Sequence, residues 1–264
     1  MVATLARFSD SENQASRFTP RLPGKPICRH QIDSIWSDSA LGNPEPAEGR
    51  PVLTPARDCA RCPRLVGWRE ESRAGHPDWH NAPVASFGGL DARLLIVGLA
   101  PGLAGANRTG RPFTGDFAGR LLYPTLVKFG FARGAYRERA DDGIELIGAR
   151  ITNAVRCAPP QNRPEAVEIN ACRAFLEAEI AAMERLEIVL ALGALAHAAA
   201  LSVLGERRAR FRFVHGALYE LACGITLADS YHCSRRNTNT GRLTEKMFEE
   251  VFAEIRRRLD ARRP

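Results

Sequence analysis

Between Arg93 and Thr125 the chain reads RLLIVGLAPGLAGANRTGRPFTGDFAGRLLYPT, and this stretch limits the fold more than any other. Leu94-Leu95-Ile96-Val97 is a short apolar run of the kind that forms a strand buried on both faces. Gly98 ends it, a polar loop follows, and the amphipathic stretch Ala118 to Phe129 reads as a helix. A strand that feeds a Gly-rich loop and then a helix brings main-chain N–H groups to the carboxyl edge of a parallel sheet. That is where open α/β folds bind ligands. Asn107, Arg108, Arg111, Phe113, Thr114 and Asp116 crowd into ten residues of the loop.

The same alternation recurs downstream. Ile151 to Val155 reads as a second buried strand, Leu186 to Leu192 as a third, and Ile225 to Ala228 as the last. Helices are expected from about Pro164, which suits a first turn, from Ala194 to Leu204, and from Leu243 to about Arg262. In that last helix Met247, Val251, Ile255 and Leu259 give one apolar face. A short alternating run, Ala217 to Leu221, lies before the final strand. This order predicts a three-layer α/β/α sandwich around a small, about four-stranded, mainly parallel sheet. The loops that begin at Gly98, Asn153 and His232 should then converge on one pocket.

Residues 1 to 50 are rich in Pro, Ser, Arg and Gly without a sustained period, and read as an irregular N-terminal extension. Residues 51 to 264 suit a single domain. The opening MVATLARFSDSENQ lacks the basic-then-apolar layout of a secretory leader, and no apolar run reaches membrane length. The expectation is a cytoplasmic monomer with no membrane association. A net charge of +7 favours a polyanionic partner, although a basic surface that is merely solvated would give the same count.

Of seven cysteines, Cys59 and Cys62 form a CxxC, Cys157 follows the second strand, and Cys172 lies inside the next helix. Four soft thiolates can close around a [4Fe–4S] cluster or a zinc ion, and four unconnected thiols are the bland alternative. Disulfides are a poor fit to a cytoplasmic chain. Cys28, Cys223 and Cys233 are taken as non-ligands. His197, set among Ala and Leu, reads as a structural histidine. His232, at a strand end before a loop of basic and amide residues, either acts on a ligand or caps the strand. Asp116, before the helix from Ala118, has the position of an N-cap.

Taken together, GLAPG with NRTGRPFTGD (Gly98 to Asp116), ITNAVRCAPP (Ile151 to Pro160) and SYHCSRRNTNTGRLT (Ser230 to Thr244) resemble the motifs of the uracil-DNA glycosylase superfamily. The closest likeness is to its iron–sulfur, family-five (B-type) branch, whose cysteine layout also matches CARCPRL, RCAPP and Cys172. The resemblance covers about residues 55 to 255. Three departures stand out. Related enzymes often carry a carboxylate or amide where Ala100 stands, although the family-five branch does not. The third motif, commonly His-Pro-Ser, reads His232-Cys233-Ser234, and Ala104 stands where a close relative commonly has His.

The resemblance implies a repair glycosylase that flips a deaminated base out of DNA and hydrolyses its N-glycosidic bond, leaving an abasic site. Uracil is the implied substrate, with hypoxanthine and xanthine within the range of this branch, in double- or single-stranded DNA. His232 would donate a hydrogen bond to the departing base and Phe113 would stack on it. Asn153 would pair with its polar edge. Gly98, Leu99, Ala100 and Gly102 would shape the pocket with main-chain groups. Asp116, the carboxylate of the first loop, would position water or steady the sugar cation. Arg235, Arg236 and Asn237 are expected at the DNA surface, while Arg108 and Arg111 would contact phosphate or brace the loop. Cys59, Cys62, Cys157 and Cys172 would hold a structural [4Fe–4S] cluster. Two other readings compete: an iron–sulfur protein that binds damaged or single-stranded nucleic acid without catalysis, and a zinc-stabilised hydrolase of nucleotides or esters.

Overall fold

The computed structural model describes residues 52–262, so the extension expected over residues 1 to 50 lies outside the described residues. In chain order the first half holds α1 (Pro63–Gly75), β1 (Leu94–Gly98), α2 (Ala106–Thr109), α3 (Phe117–Lys128), β2 (Ala132–Arg133), β3 (Glu145–Leu146) and β4 (Ala149–Asn153). The second half holds α4 (Ala166–Ala182), β5 (Ile188–Leu192), α5 (Ala194–Val203), β6 (Leu218–Glu220), β7 (Thr226–Ser230), α6 (Arg235–Asn239) and α7 (Glu245–Ala261).

Every residue of β1 is buried, as a strand covered on both faces requires. Successive side chains point to opposite faces. Leu94 and Ile96 therefore enter a core with Leu122 and Leu126 of α3 and Phe248, Phe252 and Ile255 of α7. Leu95 and Val97 enter the other core, with Leu176 of α4 and Ala196, Ala200 and Leu201 of α5. The molecule is thus a three-layer α/β/α sandwich. β1 pairs in parallel with β4 on one side and β5 on the other, and β7 pairs in parallel with β5.

The sheet has five strands in the order β4-β1-β5-β7-β6, one more than expected. The extra strand is β6, three residues long and antiparallel to β7. Its alternating pattern was visible, but a run so short becomes a strand only where β7 offers it an edge to pair with. β2 and β3 form a separate antiparallel pair of two residues each.

Helix ends follow local chemistry. α4 begins at Ala166, two residues beyond Pro164, because Glu165 and Glu168 form a reciprocal capping box, with the Glu165 N–H donating to Glu168 Oε2 at 2.7 Å. Thr244 caps α7 and Ser234 caps α6 through their hydroxyls. The apolar face of α7 is broader than the expected stripe, since Phe248 and Phe252 are buried beside Val251, Ile255 and Leu259. Because β1, β4, β5 and β7 run in parallel, the loops that leave their carboxyl ends share one edge of the sheet.

Candidate functional site at the carboxyl edge of the sheet

Gly98 and Asn153 are register partners at the ends of β1 and β4. The ladder continues one step further, with Ala154 N–H donating to Gly98 O and Val155 N–H to Leu99 O, both at 2.9 Å. The two loops therefore leave the sheet side by side. A methyl group on Gly98 would collide with Asn153 Oδ1 and lie 2.7 Å from Phe113 Cζ. Only a residue without a side chain lets this amide and this ring close over the strand end. The Phe113 ring centre lies 5.8 Å from that of His232, with 31° between the planes. Phe113, Asn153 and His232, each from a different loop, are thus brought together.

Phe113 sits at φ 53°, a left-handed backbone that costs a bulky residue about 1–3 kcal/mol. Neighbours hold it there. Its carbonyl accepts from Tyr136 O–H at 3.2 Å, the carbonyl of Pro112 accepts from Tyr123 O–H at 2.7 Å, and Thr114 Oγ1 accepts from Arg111 Nε at 2.7 Å. Strain maintained in this way is a mark of a site residue.

His232 leaves the end of β7. Its carbonyl accepts from Asn237 Nδ2 at 2.8 Å, and Cys233 behind it is fully buried. Burial pushes the His232 imidazole down to about 4, so the ring is neutral near pH 7, with one donor and one acceptor nitrogen. Neither ring nitrogen has a hydrogen-bond partner among the described residues, and the Asn153 amide also has none. Asn153 Oδ1 lies over Gly98 beside the Phe113 ring, and the His232 ring centre lies 5.8 Å from that of Phe113. Asn237, expected at a nucleic-acid surface, is instead half-buried, with its amide committed to the His232 carbonyl. It fastens the loop that Cys233, in place of proline, would leave looser.

Asp116 is the N-cap of α3: Oδ1 accepts from Gly119 N–H at 3.2 Å. Oδ2 turns toward the first loop, where methyl groups on Gly105 and Gly102 would lie 2.6 and 3.4 Å from it. Burial raises the Asp116 carboxyl pKa, against the Gly119 and Ala118 N–H groups that lower it, and its charge is felt at Cys233. One oxygen caps the helix while the other faces the loop. Gly119 itself is hemmed in by Phe113 O and Tyr136 Oη, which a Cβ would strike. Gly119→Ala is expected to destabilise the protein by about 1–3 kcal/mol, because a backbone carbonyl cannot step aside as a side chain would. Chemical denaturation checks this, and an unchanged midpoint would show that α3 shifts freely.

The two arginines of the first loop differ. Arg111 is buried and grips Asp142 with both terminal nitrogens, at 2.7 and 2.8 Å. Its guanidinium also lies 5.0 Å from the Tyr123 ring centre and 5.3 Å from that of Phe87. Although burial works to raise it, Arg111 and the N–H groups of Arg137 and Ile144 hold Asp142 at about 2. Of the two expectations for Arg111, the geometry supports bracing the loop, since the guanidinium is buried and committed to Asp142. Arg108 is exposed and donates to Ala104 O at 2.8 Å. Arg235 and Arg236 are exposed on α6, with Arg235 5.4 Å over the Phe117 ring.

Cys59, Cys62, Cys157 and Cys172 meet in a third apolar cluster with Leu65, Val155 and Phe175, and Ala100 of the first loop packs against it. Arg69 donates to Cys157 Sγ at 3.8 Å and the Arg156 N–H donates to Cys172 Sγ at 3.4 Å. Nε of Arg69 and Nε of Arg156 are buried without a partner. Burial and the neighbouring Cys172 push the Cys62 thiol up to about 11 and the Cys157 thiol up to about 12. Among the described residues no group of three or more His, Cys, Asp or Glu is arranged to hold a metal ion.

Some neighbours of the site carried no signal in the sequence. Tyr136 and Asp142 come from the irregular stretch between β2 and β3. Gln161 and Asn162 both adopt left-handed φ, 54° and 56°, and Asn162 Oδ1 lies 3.9 Å from where a Gly102 methyl would be. Asparagine tolerates that conformation, so the PPQN string was a faint pointer to a sharp turn beside the site. Among the described residues no helix is long and apolar enough to cross a membrane.

The model of the uracil DNA glycosylase superfamily matches residues 85–256, which span all three loops. The chain is similar to the type-5 uracil-DNA glycosylase of Thermus thermophilus, at 47% identity over 205 residues, covering 75% of this chain and 93% of the relative. It is 43% identical over 199 residues to the type-5 uracil-DNA glycosylase of Pyrobaculum aerophilum, covering 74% of this chain and 86% of that one. A type-4 uracil-DNA glycosylase of the same organism is 31% identical over 180 residues, covering 67% and 78%.

Proposed function

The chain belongs to the uracil DNA glycosylase superfamily, and from that premise we propose that it excises uracil from DNA by hydrolysis of the N-glycosidic bond. The observation that carries this reading is the convergence of Phe113, Asn153 and His232, an aromatic face and two unpartnered polar groups, over a strand end cleared by Gly98. A flipped nucleobase is planar and has alternating donors and acceptors. Phe113 offers it a stacking face, Asn153 an amide with one donor edge and one acceptor edge, and His232 a donor for the carbonyl that gains charge as the bond breaks. The other product is an oxocarbenium-like sugar, which needs a water and a negative charge. The Asp116 oxygen that does not cap α3 is suited to hold that water. Gly98, Leu99, Ala100 and Gly102 give the main-chain wall, and the exposed Arg108, Arg235 and Arg236 face the DNA phosphates.

The reaction needs no reading of the surrounding sequence, and the proposed range extends from uracil to hypoxanthine and xanthine, in single- or double-stranded DNA. The test is a panel of oligonucleotides carrying each base, single- and double-stranded, treated with hot alkali after incubation. Strand breaks at uracil are expected. Tight binding without breaks would leave a non-catalytic binder of damaged DNA.

The four cysteines fit a [4Fe–4S] cluster as a donor set. They are soft, they come from three segments into one apolar cluster, and their sulfurs already receive N–H groups while two guanidinium nitrogens beside them lack partners. When bound, such a cluster supplies cross-linking between α1, the loop after β4 and α4, close behind Ala100. Cys172→Ala is expected to lower iron content and broad visible absorbance and to reduce thermal stability. A variant that keeps the full iron content would remove Cys172 from the ligand set.

A further inference from the structure

Ahead of Tyr231 and His232 in the chain lies a second basic surface. The segment from Glu206 to Gly216, between α5 and β6, carries Arg207, Arg208, Arg210 and Arg212, all exposed. Only Arg210 has a carboxylate partner among the described residues, Glu206 at 3.7 Å. The segment is fastened from within. The buried His197 spans it, with Nδ1 2.7 Å from Asp229 Oδ1 and Nε2 3.0 Å from Phe211 O, and Val214 N–H donates to Asp229 Oδ2 at 3.3 Å. The Phe211 carbonyl can only accept, so Nε2 carries a proton, and Nδ1 shares one with the Asp229 carboxyl group. Burial works against a charged ring, but the Asp229 hydrogen bond and charge prevail and raise the His197 pKa.

The end of the segment reaches the catalytic loop. Gly216 N–H donates to Asp229 O at 2.8 Å, and Tyr231 N–H donates to His215 Nδ1 at 3.1 Å. His215 stacks on Tyr231 with ring centres 4.9 Å apart and planes 7° apart, and the Arg242 guanidinium lies 4.6 Å over the same ring. Phe213 packs against Tyr231 from 5.9 Å, leaving Val214 exposed at the tip. A ridge of exposed arginines, three of the four without a carboxylate partner among the described residues, is therefore joined through stacked rings to the residue before His232.

We propose that this ridge is a second DNA-docking surface, which takes the phosphodiester backbone of the duplex to one side of the extruded nucleotide. The proposal rests on the uracil-excision reading. Its chemistry is that of phosphate recognition: cations held on a preorganised loop lose little freedom on binding, and each neutralised phosphate releases counterions. The ridge lies outside the pocket, so it serves affinity and register and not bond cleavage.

The test uses the full chain with Arg208→Ala and Arg212→Ala combined, and a duplex bearing a tetrahydrofuran abasic analogue as the binding probe. Affinity at moderate salt is expected to fall about tenfold, and the slope of log affinity against log salt to shrink by about 2. Single-turnover uracil release at saturating enzyme should be unchanged. The matching Arg→Lys double variant should recover the slope, because it restores the charges. An unchanged affinity and slope would overturn the proposal, as would weaker binding with the parental slope, which would mark a site for something other than phosphate. Failure of the parent itself to release uracil would instead sink the reading on which the ridge depends.

Discussion

A His232→Ala enzyme is expected to release uracil about 10²–10³-fold more slowly than the parent at saturating DNA, with its affinity for DNA largely retained. The departing base gains negative charge on its carbonyl oxygens, and a donor fixed in place before the bond breaks is worth more than one recruited from water. His232 meets that need as a neutral ring. Burial holds it at about 4 against an ordinary 6.5, so no inflection near 6.5 should appear in the pH profile of single-turnover release. The same depression has a consequence for stability. Between about 6.5 and 4 the unfolded chain takes up the proton and the folded ring does not, so His232 makes the protein less stable as pH falls through that window. His232→Ala should flatten that part of the pH–stability curve relative to the parent. Equal losses of binding and of release, with an unaltered stability curve, would reduce His232 to a strand cap.

The parts of this protein legible in its sequence are those with a local cause. Leu94 to Val97 and Ile188 to Leu192 are continuous apolar runs, and buried parallel strands hardly read any other way. The three loops could be placed at one edge because parallel strands put their carboxyl ends together. What escaped depends on distant partners. Arg111 reads as either a phosphate contact or a loop brace, and the choice was hidden because its partner, Asp142, lies in a stretch with no pattern of its own. Asn237 sits in a basic string, yet its amide turns inward to a carbonyl five residues back. The left-handed backbone of Phe113 follows from Tyr136 and Tyr123, whose hydroxyls no local signal could aim at that loop. His197 reads as structural from its Ala and Leu neighbours and is buried, but its carboxylate partner comes from β7, on the far side of an irregular segment.

Asp116 can be divided between its two oxygens by two substitutions. Asp116→Asn keeps an oxygen to accept the Gly119 N–H, and asparagine caps helices about as well as aspartate, so its melting temperature should match the parent's. Uracil release should nevertheless fall by about 10²-fold or more, because an amide neither takes a proton from water nor offers charge to the sugar cation. Asp116→Ala should show a similar loss of activity and also lose about 1 kcal/mol of stability, since α3 then starts with an uncapped N–H. The contrast separates the roles because the cap needs only a lone pair, whereas the chemistry needs a carboxylate. Burial sharpens that contrast: it raises the Asp116 pKa and leaves a more basic oxygen facing Gly102 and Gly105 than an exposed aspartate would present. If the asparagine variant releases uracil at the parental rate, both oxygens serve only the helix, and the water must be held by a group outside the first loop.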